Sequence, residues 1–217
     1  MTLALFDLDN TLLSGDSDYE WGQFLVRKGL VDPETYAAEN QRFYGQYQQG
    51  TLDILEYSAF AFKPLSERSM AELAALHRDF MQESILPIMS DAAHQLVEEH
   101  RRQDHTLVVI TATNSFITRP IAAAFGISNL LATEPKVVDG RYTREVAGIP
   151  CFQHGKVSRL QDWLQNRHET LAGSFFYSDS HNDLPLLEMV ENPVAVDPDT
   201  VLHSVAQERG WPVISLR

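Results

Sequence analysis

Hydrophobic and polar positions divide this chain into two textures. Near the N-terminus, Leu3–Leu8 is a short apolar run, which predicts a buried strand. From about Gly15 to Ser84 the apolar residues recur instead at helical spacing, among them Trp21, Phe24 and Leu25, then Phe60 and Phe62, then Leu73, Leu76 and Phe80. Pro33, Gly50 and Pro64 punctuate that block and Pro87 closes it, which predicts about four helices and no strand. Beyond Pro87 short apolar runs return, alternating with helical patterns. The expected elements are a helix over Asp91–Arg102, a strand over Leu107–Thr111 and a helix over Phe116–Phe125 that stops at Gly126. The pair Asp139-Gly140 between Leu131–Val138 and Arg141–Val146 is a hairpin signal. A helix from about Lys156 to Arg167, a strand over Ser174–Ser178 and a short helix over Leu184–Val190 follow. Val194–Val196 reads as a strand, Thr200–Arg209 as a helix and Val213–Leu216 as a last strand.

Strands that alternate with helices imply an α/β fold, with a doubly wound, mainly parallel sheet as its core. The all-helical block after the first strand reads as an inserted cap over the carboxyl edge of the sheet, where open α/β sheets place ligands. The expected division is a core of residues 1–14 and 88–217 and a cap of residues 15–87. Gly15 and Pro87 are the hinge candidates.

Composition narrows the function. Apolar residues make up 44% of the 217, enough for a sizeable globular core. The formal net charge of −13 argues against nucleic acid as a partner. It also repels anionic ligands, so a phosphate-bearing ligand would require a metal ion and local cations that reverse the sign inside the site. No apolar run approaches the length of a membrane span. The start MTLALFDLD lacks a basic segment and turns acidic too early for a signal peptide, and Cys151 is the only cysteine. A cytoplasmic protein without intrachain disulfides is expected. Nothing in the chain specifies an oligomeric state.

The chemistry gathers where strands end. Asp7 and Asp9 close the first apolar run two residues apart, so a strand's alternation would send both carboxylates to one side. Like charges that close call for a metal ion or a shared proton. Thr11 adds a hydroxyl two positions further on, and acid, acid, hydroxyl suits phosphoryl transfer. The plainer reading is a solvated strand-end turn. The second strand ends in Thr111-Ala112-Thr113-Asn114, where free amides at the following helix start favour an anion. Capping by Thr113, Asn114 or Ser115 is the alternative. Lys156 opens a helix, where the dipole disfavours a cation, and a phosphate there would satisfy both; a solvated lysine is the alternative. Asp179 and Asp183, with Asn182 between them, offer hard oxygen ligands of the kind Mg²⁺ takes, or else simply cap a helix.

The order D-x-D-x-T-L (Asp7, Asp9, Thr11, Leu12), a hydrophobic strand ending in Thr111, Lys156, and S-D-S-x-N-D (Ser178 to Asp183) resembles the haloacid-dehalogenase-like phosphohydrolases along the whole chain. The helical insert resembles the cap of their phosphoserine-phosphatase-like branch. Within it, Gly15-Asp16-Ser17-Asp18-Tyr19-Glu20-Trp21 is similar to a bacterial group that includes histidinol-phosphatases. The resemblance implies an Mg²⁺-dependent phosphomonoesterase in which Asp7 attacks phosphorus and forms an aspartyl-phosphate. Asp9 would protonate the leaving alkoxide and then activate water. Thr111 and Lys156 would hold phosphoryl oxygens. Asp7, the Asp9 carbonyl and Asp179 would hold the metal, with Asp183 in or near its shell. Asn10 departs from the glycine of many relatives, and asparagine tolerates the same left-handed backbone.

The candidate substrate-binding set is Thr11, Asn114, Asp16, Asp18, Glu20 and Asn182. The three acids lie just past the nucleophile and suit the ammonium of an amino-alcohol phosphate, histidinol phosphate first and phosphoserine second. Their alternative is a capping box, Ser17-x-x-Glu20. Tyr19, Trp21, Phe43, Tyr44 and Tyr47 offer rings for an imidazole or for the core. Arg27, Lys28, Arg42 and Lys63 are the cap cations available to a phosphoserine carboxylate. His154 and His181 read as solvated or substrate-touching. A phosphotransferase and a phospho-accepting signalling module are the rival functions; the second acid, Asp9, speaks against the module.

Overall fold

The computed structural model describes residues 2–165 and 167–217. A six-stranded sheet runs in the order β3-β2-β1-β6-β7-β8, and every neighbouring pair in it is parallel. Its strands are β1 (Leu3–Phe6), β2 (Thr106–Asn114), β3 (Asn129–Thr133), β6 (Phe175–Ser178), β7 (Asn192–Val196) and β8 (Val213–Ile214). A separate antiparallel hairpin joins β4 (Pro135–Val138) to β5 (Arg141–Val146).

Alternation along each strand covers both faces of the sheet. Leu3 and Leu5 of β1, with Val108 and Ile110 of β2, enter one apolar cluster. Ala4 and Phe6, with Leu107 and Val109, enter the other. A strand buried on both faces is what a doubly wound parallel sheet demands. The helices α6 (Asp91–Arg102), α7 (Ser115–Ala124), α8 (His154–Leu164), the short α9 (Leu184–Leu187) and α10 (Thr200–Arg209) connect these strands.

Between β1 and α6 the chain forms α1 (Ser17–Arg27), α2 (Pro33–Gln48), α3 (Ile54–Ala61), the one-turn α4 (Lys63–Ser66) and α5 (Met70–Phe80), with no strand among the described residues. Asp16, Asp32, Asp53 and Ser69 cap four of these helices through side-chain oxygens. The segments beside the hinge candidates Gly15 and Pro87 are joined: Ser14 N–H donates to Ile88 O at 2.9 Å, and Leu13 bridges Met89. Trp21, Phe24, Phe62, Leu65 and Phe80 are buried in the same apolar cluster as Phe6, Val109 and Ile117. The insert is therefore seated on the sheet by shared core.

Several boundaries differ from the sequence expectation. The run expected as one strand over Leu131–Val138 splits at Glu134. Its first half is β3 in the main sheet and its second half is β4 of the hairpin. Pro135 has no N–H to donate to a ladder and stands at the first position of β4, where a strand tolerates it. The hairpin turn itself follows expectation, with Asp139 and Gly140 both at positive φ (51° and 73°). The helix expected to reach Arg167 ends at Leu164, and residue 166 lies outside the described residues. The helix over Leu184–Val190 shrinks to Leu184–Leu187. None of the helices is long and apolar enough to cross a membrane among the described residues.

Candidate active site

The strand order places β1 at the point where successive crossovers leave in opposite directions, and ligands bind at such points. β1 ends at Phe6, and the Asp7 N–H donates to Tyr177 O of β6 at 2.9 Å. The following Leu8–Leu12 forms one wide turn, closed by Leu13 N–H on Leu8 O. Asn10 takes a left-handed φ of 56°, as its side-chain type permits.

Asp7 and Asp9 leave this segment toward different partners. Asp7 Oδ1 accepts from Lys156 Nζ at 2.7 Å, and Lys156 Nζ also donates to Asp183 Oδ2 at 2.7 Å. Lys156 is only 3% exposed. The first turn of α8 thus carries its unfavourably placed cation into a pair of carboxylates. Gly155 makes the close seat possible, since a Cβ there would lie 2.0 Å from Pro150 O. Ser178 Oγ donates a further 2.7 Å bond to Asp183 Oδ2. Asp9 turns away: Oδ1 accepts the Ser17 N–H at 2.6 Å and Oδ2 the Thr113 hydroxyl at 2.8 Å.

Thr11 bonds the aspartate loop. Its hydroxyl donates to Asp179 Oδ1 at 3.1 Å and accepts the Asp179 N–H at 3.1 Å. This candidate for substrate contact thus bridges toward Asp179. Asn114, also expected at substrate, caps α7 by accepting the Ile117 N–H through Oδ1. Thr111, expected to close its strand, is buried inside β2, which runs on to Asn114, and its Oγ1 accepts the Thr113 N–H. Asn182 is buried and receives Gln153 Nε2 on Oδ1 at 2.9 Å.

The acidic run of the insert resolves differently for each residue. Asp16 is the N-cap of α1, accepting from Asp18 N–H and Tyr19 N–H, so the capping box Ser17-x-x-Glu20 does not form. Asp18 Oδ2 accepts from the Tyr57 hydroxyl. Glu20 lies a turn further along, and no hydrogen bond or ion pair joins it to the site among the described residues. Trp21 and Phe43 are buried among other rings, and Tyr19 and Tyr44 are exposed. Among the described residues, Tyr47 is the one of these aromatics that bonds the 178–183 loop, through Ser180. His154 is exposed, and His181 Nδ1 pairs with Asp199 Oδ2 at 2.7 Å.

Burial and crowding set the electrostatics. Burial first, then the neighbouring Asp183, pushes Asp7 upward, while Lys156 opposes both. Burial alone would pull Lys156 down, but Asp183 and Asp7 more than reverse this and keep it charged. Burial, with Asp7 and Asp183 nearby, pushes Asp179 well above the usual carboxylate range. Asp9, Asp16 and Asp18 are each pushed up to about 6, in every case chiefly by burial.

This excess of buried negative charge tests the fit of a metal. Lys156 pairs with Asp7 and Asp183, while Asp179 beside them forms no ion pair among the described residues. No ready-made cage of three or more His, Cys, Asp or Glu ligands exists among the described residues. The donors are all oxygen, with Asp7 and Asp179 joined through Thr11, and the charge deficit is that of a hard divalent ion. The residues present fit Mg²⁺.

Asp16 supplies a stability test. Its folded-state value of about 6 lies above the unfolded 3.8, so the folded state binds this proton more tightly. The resulting cost appears as pH rises from about 4 and is complete above about 6. Asp16→Asn keeps an N-cap side chain but never charges. The variant should melt a few degrees above wild type at pH 7.5 in EDTA, and the gap should close near pH 4 by thermal unfolding.

Sequence reasoning missed Thr113 as a partner of Asp9, Ser178 as a partner of Asp183, and Arg217, whose guanidinium donates to Leu13 O and Asn10 O. Thr113 and Ser178 were visible only as polar strand-end residues, and nothing local marks Arg217.

The chain matches the haloacid dehalogenase-like hydrolase family over residues 4–188. It is 47% identical to a histidinol-phosphatase of Neisseria meningitidis, covering 99% of both chains. It is 31% identical to a phosphoserine phosphatase of Mycobacterium tuberculosis, covering 99% of this chain and 70% of that one. Among solved structures, a protein of unknown function from Bordetella pertussis superposes with a TM-score of 0.93 at 44% identity, covering 100% of each chain. A phosphoserine phosphatase bearing a phospho-aspartyl intermediate analogue shares the fold, with a TM-score of 0.71 at 15% identity over 100% of this chain and 93% of that one.

Proposed function

This chain belongs to the haloacid dehalogenase-like hydrolases, and we propose that it is an Mg²⁺-dependent phosphatase that cleaves histidinol phosphate through an aspartyl-phosphate on Asp7. The observation that carries the reaction is the buried array in which Lys156 Nζ sits 2.7 Å from both Asp7 and Asp183. In this reading residues 15–87 are a cap over a core of residues 1–14 and 88–217.

Asp7 Oδ2 lies on the Thr11 side of the carboxylate, opposite the oxygen that Lys156 holds, and is the oxygen presented to phosphorus. The bond from phosphorus to the ester oxygen breaks as the Asp7–phosphorus bond forms, and Asp9 gives the departing alkoxide a proton. Burial raises Asp9 to about 6, closer to neutrality than an ordinary aspartate, which suits a group that gives a proton and later takes one from water. Thr113 and Ser17 fix the rotamer of Asp9. Thr111 and Lys156 receive the phosphoryl oxygens. Asp7, the Asp9 carbonyl and Asp179 would hold Mg²⁺, with Asp183 at its margin, and the ion supplies the charge that lets an anionic nucleophile approach an anionic ester.

The substrate follows from charge in the cap. Asp16 and Asp18 line the region beside Asp9 with negative charge, which suits an ammonium or imidazolium leaving group. Phosphoserine would also require a cation for its carboxylate. Arg27 is bonded to Ser84, Lys28 to Glu83, and Arg42 to Glu39 and Glu56. Lys63 is exposed on α4. Among the described residues no hydrogen bond or ion pair joins any of the four to Asp16 or Asp18, which favours histidinol phosphate. The relative that is 47% identical carries the same activity in its name.

The test is phosphate release from histidinol phosphate, phosphoserine, sugar phosphates and nucleotides, with Mg²⁺ and with EDTA. Strong Mg²⁺-dependent preference for histidinol phosphate is expected. Asp18→Asn should then lower kcat/KM for that ester at least tenfold, about 1.4 kcal/mol, while changing p-nitrophenyl phosphate little. Broad weak activity, or transfer to added alcohols in place of release, would contradict the assignment.

A further inference from the structure

Tyr47 joins the insert to the loop that carries Asp179 and Asp183. It lies near the C-terminal end of α2, its ring against Phe152, and its hydroxyl donates to Ser180 Oγ at 2.9 Å. From Ser180 the bonds continue inward. Its N–H donates to Ser178 Oγ at 3.2 Å, and Ser178 Oγ donates to Asp183 Oδ2. Lys156 then links Asp183 to Asp7. Ser180 Oγ also accepts the Asn182 N–H, fixing the turn between the two aspartates.

A second tie runs beside the first. Asn182 Nδ2 approaches the Tyr47 carbonyl at 3.4 Å while its Oδ1 receives Gln153 Nε2. Gln153 stands immediately before α8 with φ 48° and ψ −121°, a backbone conformation that side-chain-bearing residues rarely adopt. Its carbonyl accepts the Lys156 N–H at 3.0 Å. Strain of this kind persists where surrounding bonds over-determine it. Burial and the nearby Asp179 and Asp183 push the Tyr47 phenol upward, so it remains a donor at working pH.

We propose that Tyr47 is a positioning residue for phosphoryl transfer: seated on Ser180, it holds the 178–183 turn and the first turn of α8 so that Lys156 and Asp183 present Asp7 in register. The proposal rests on the phosphatase reading above. It assigns Tyr47 no contact with the leaving group, so its loss acts on the chemical step.

The experiment uses full-length Tyr47→Phe, Ser180→Ala and the double variant, with Mg²⁺ and both histidinol phosphate and p-nitrophenyl phosphate. Tyr47→Phe should lower kcat on the order of tenfold for both esters while KM stays within about twofold. The double variant should be no slower than Ser180→Ala alone, because the two groups act as one unit. Hydrogen exchange at the Asn182 and Asp183 amides should quicken in Tyr47→Phe with the melting temperature nearly unchanged. A rise in KM with unchanged kcat, multiplicative losses in the double variant, or unaltered exchange would overturn the proposal. Should Tyr47→Phe fail to fold, Ser180→Ala carries the same kcat and exchange tests alone. If wild type hydrolyses no ester yet exchange quickens, the phosphatase reading fails while the tie from Tyr47 to the loop stands. If exchange is unaltered in an active enzyme, the tie fails and the phosphatase reading stands.

Discussion

Asp7→Asn is expected to abolish turnover, by at least ~10⁴-fold or about 5.5 kcal/mol of barrier, while leaving the fold intact. The amide is a far poorer nucleophile than the carboxylate and a poorer ligand for a hard cation. The fold has little reason to suffer. Asp7 is held in a buried site that pushes its carboxyl upward, and removing its charge relieves repulsion with Asp183 and Asp179. Lys156 keeps Asp183 as a charged partner at 2.7 Å. Steady-state phosphate release with Mg²⁺, beside a thermal melt, checks both halves. Appreciable Mg²⁺-dependent activity in a folded Asp7→Asn protein would remove Asp7 from the role of nucleophile.

Lys156→Met should damage both activity and stability. The side chain is buried, and its ammonium stands between two carboxylates at 2.7 Å each. Without it those carboxylates face each other in a site from which water is largely excluded. Removing one partner from a buried charge cluster costs about 3–5 kcal/mol, because the remaining charge is left uncompensated. In EDTA at pH 7.5 a chain of this length should therefore melt roughly 6–20 °C lower. Acid should narrow the gap, since protonating the carboxylates removes the repulsion, and added Mg²⁺ should narrow it as well by supplying charge at the same place. Activity should fall about 10³-fold even with Mg²⁺, because a fixed donor to the phosphoryl oxygens is lost. A variant that melts like wild type in EDTA would show that Lys156 does not compensate the buried acids.

Much of the fold was legible because the physics that sets it is local or periodic. The run Leu3–Leu8 and the β-branched run ending at Thr111 could be placed as buried parallel strands, and the helical spacing from Trp21 to Phe80 as an insert without strands. Asp139-Gly140 announced its turn through the left-handed backbone both residues adopt. The break at Glu134 was harder to see, because that single residue separates β3 from β4 and the turn signal that follows Val138 marks only the far end of the run.

The candidate site was legible as strand ends, since a parallel sheet must bring those ends together. The partners of each group were not. Asp7 and Asp9 look equivalent in D-x-D, yet one faces Lys156 and the other Thr113, because the wide turn at Leu8–Leu12 rotates Asp9 toward α1. Of the three residues weighed as caps for α7, Asn114 takes the position, and Thr113 reaches Asp9, a partner that no spacing suggested. Asp16 likewise takes the capping position that sequence spacing offered to Ser17. Tyr47 resembled four other aromatic residues of the insert until tertiary packing placed it over Ser180. Contacts between distant segments carry no local periodicity, so spacing alone does not reveal them.

The most direct measurement is to trap the covalent intermediate. Wild-type protein with Mg²⁺ would be mixed with ³²P-labelled histidinol phosphate, quenched in acid during turnover, reduced with borohydride and mapped by mass spectrometry. Hydroxylamine-sensitive label on the protein, with reduction of the acyl group at Asp7 alone, is the predicted result. Full turnover with no label on Asp7, or label on another residue, would contradict the account.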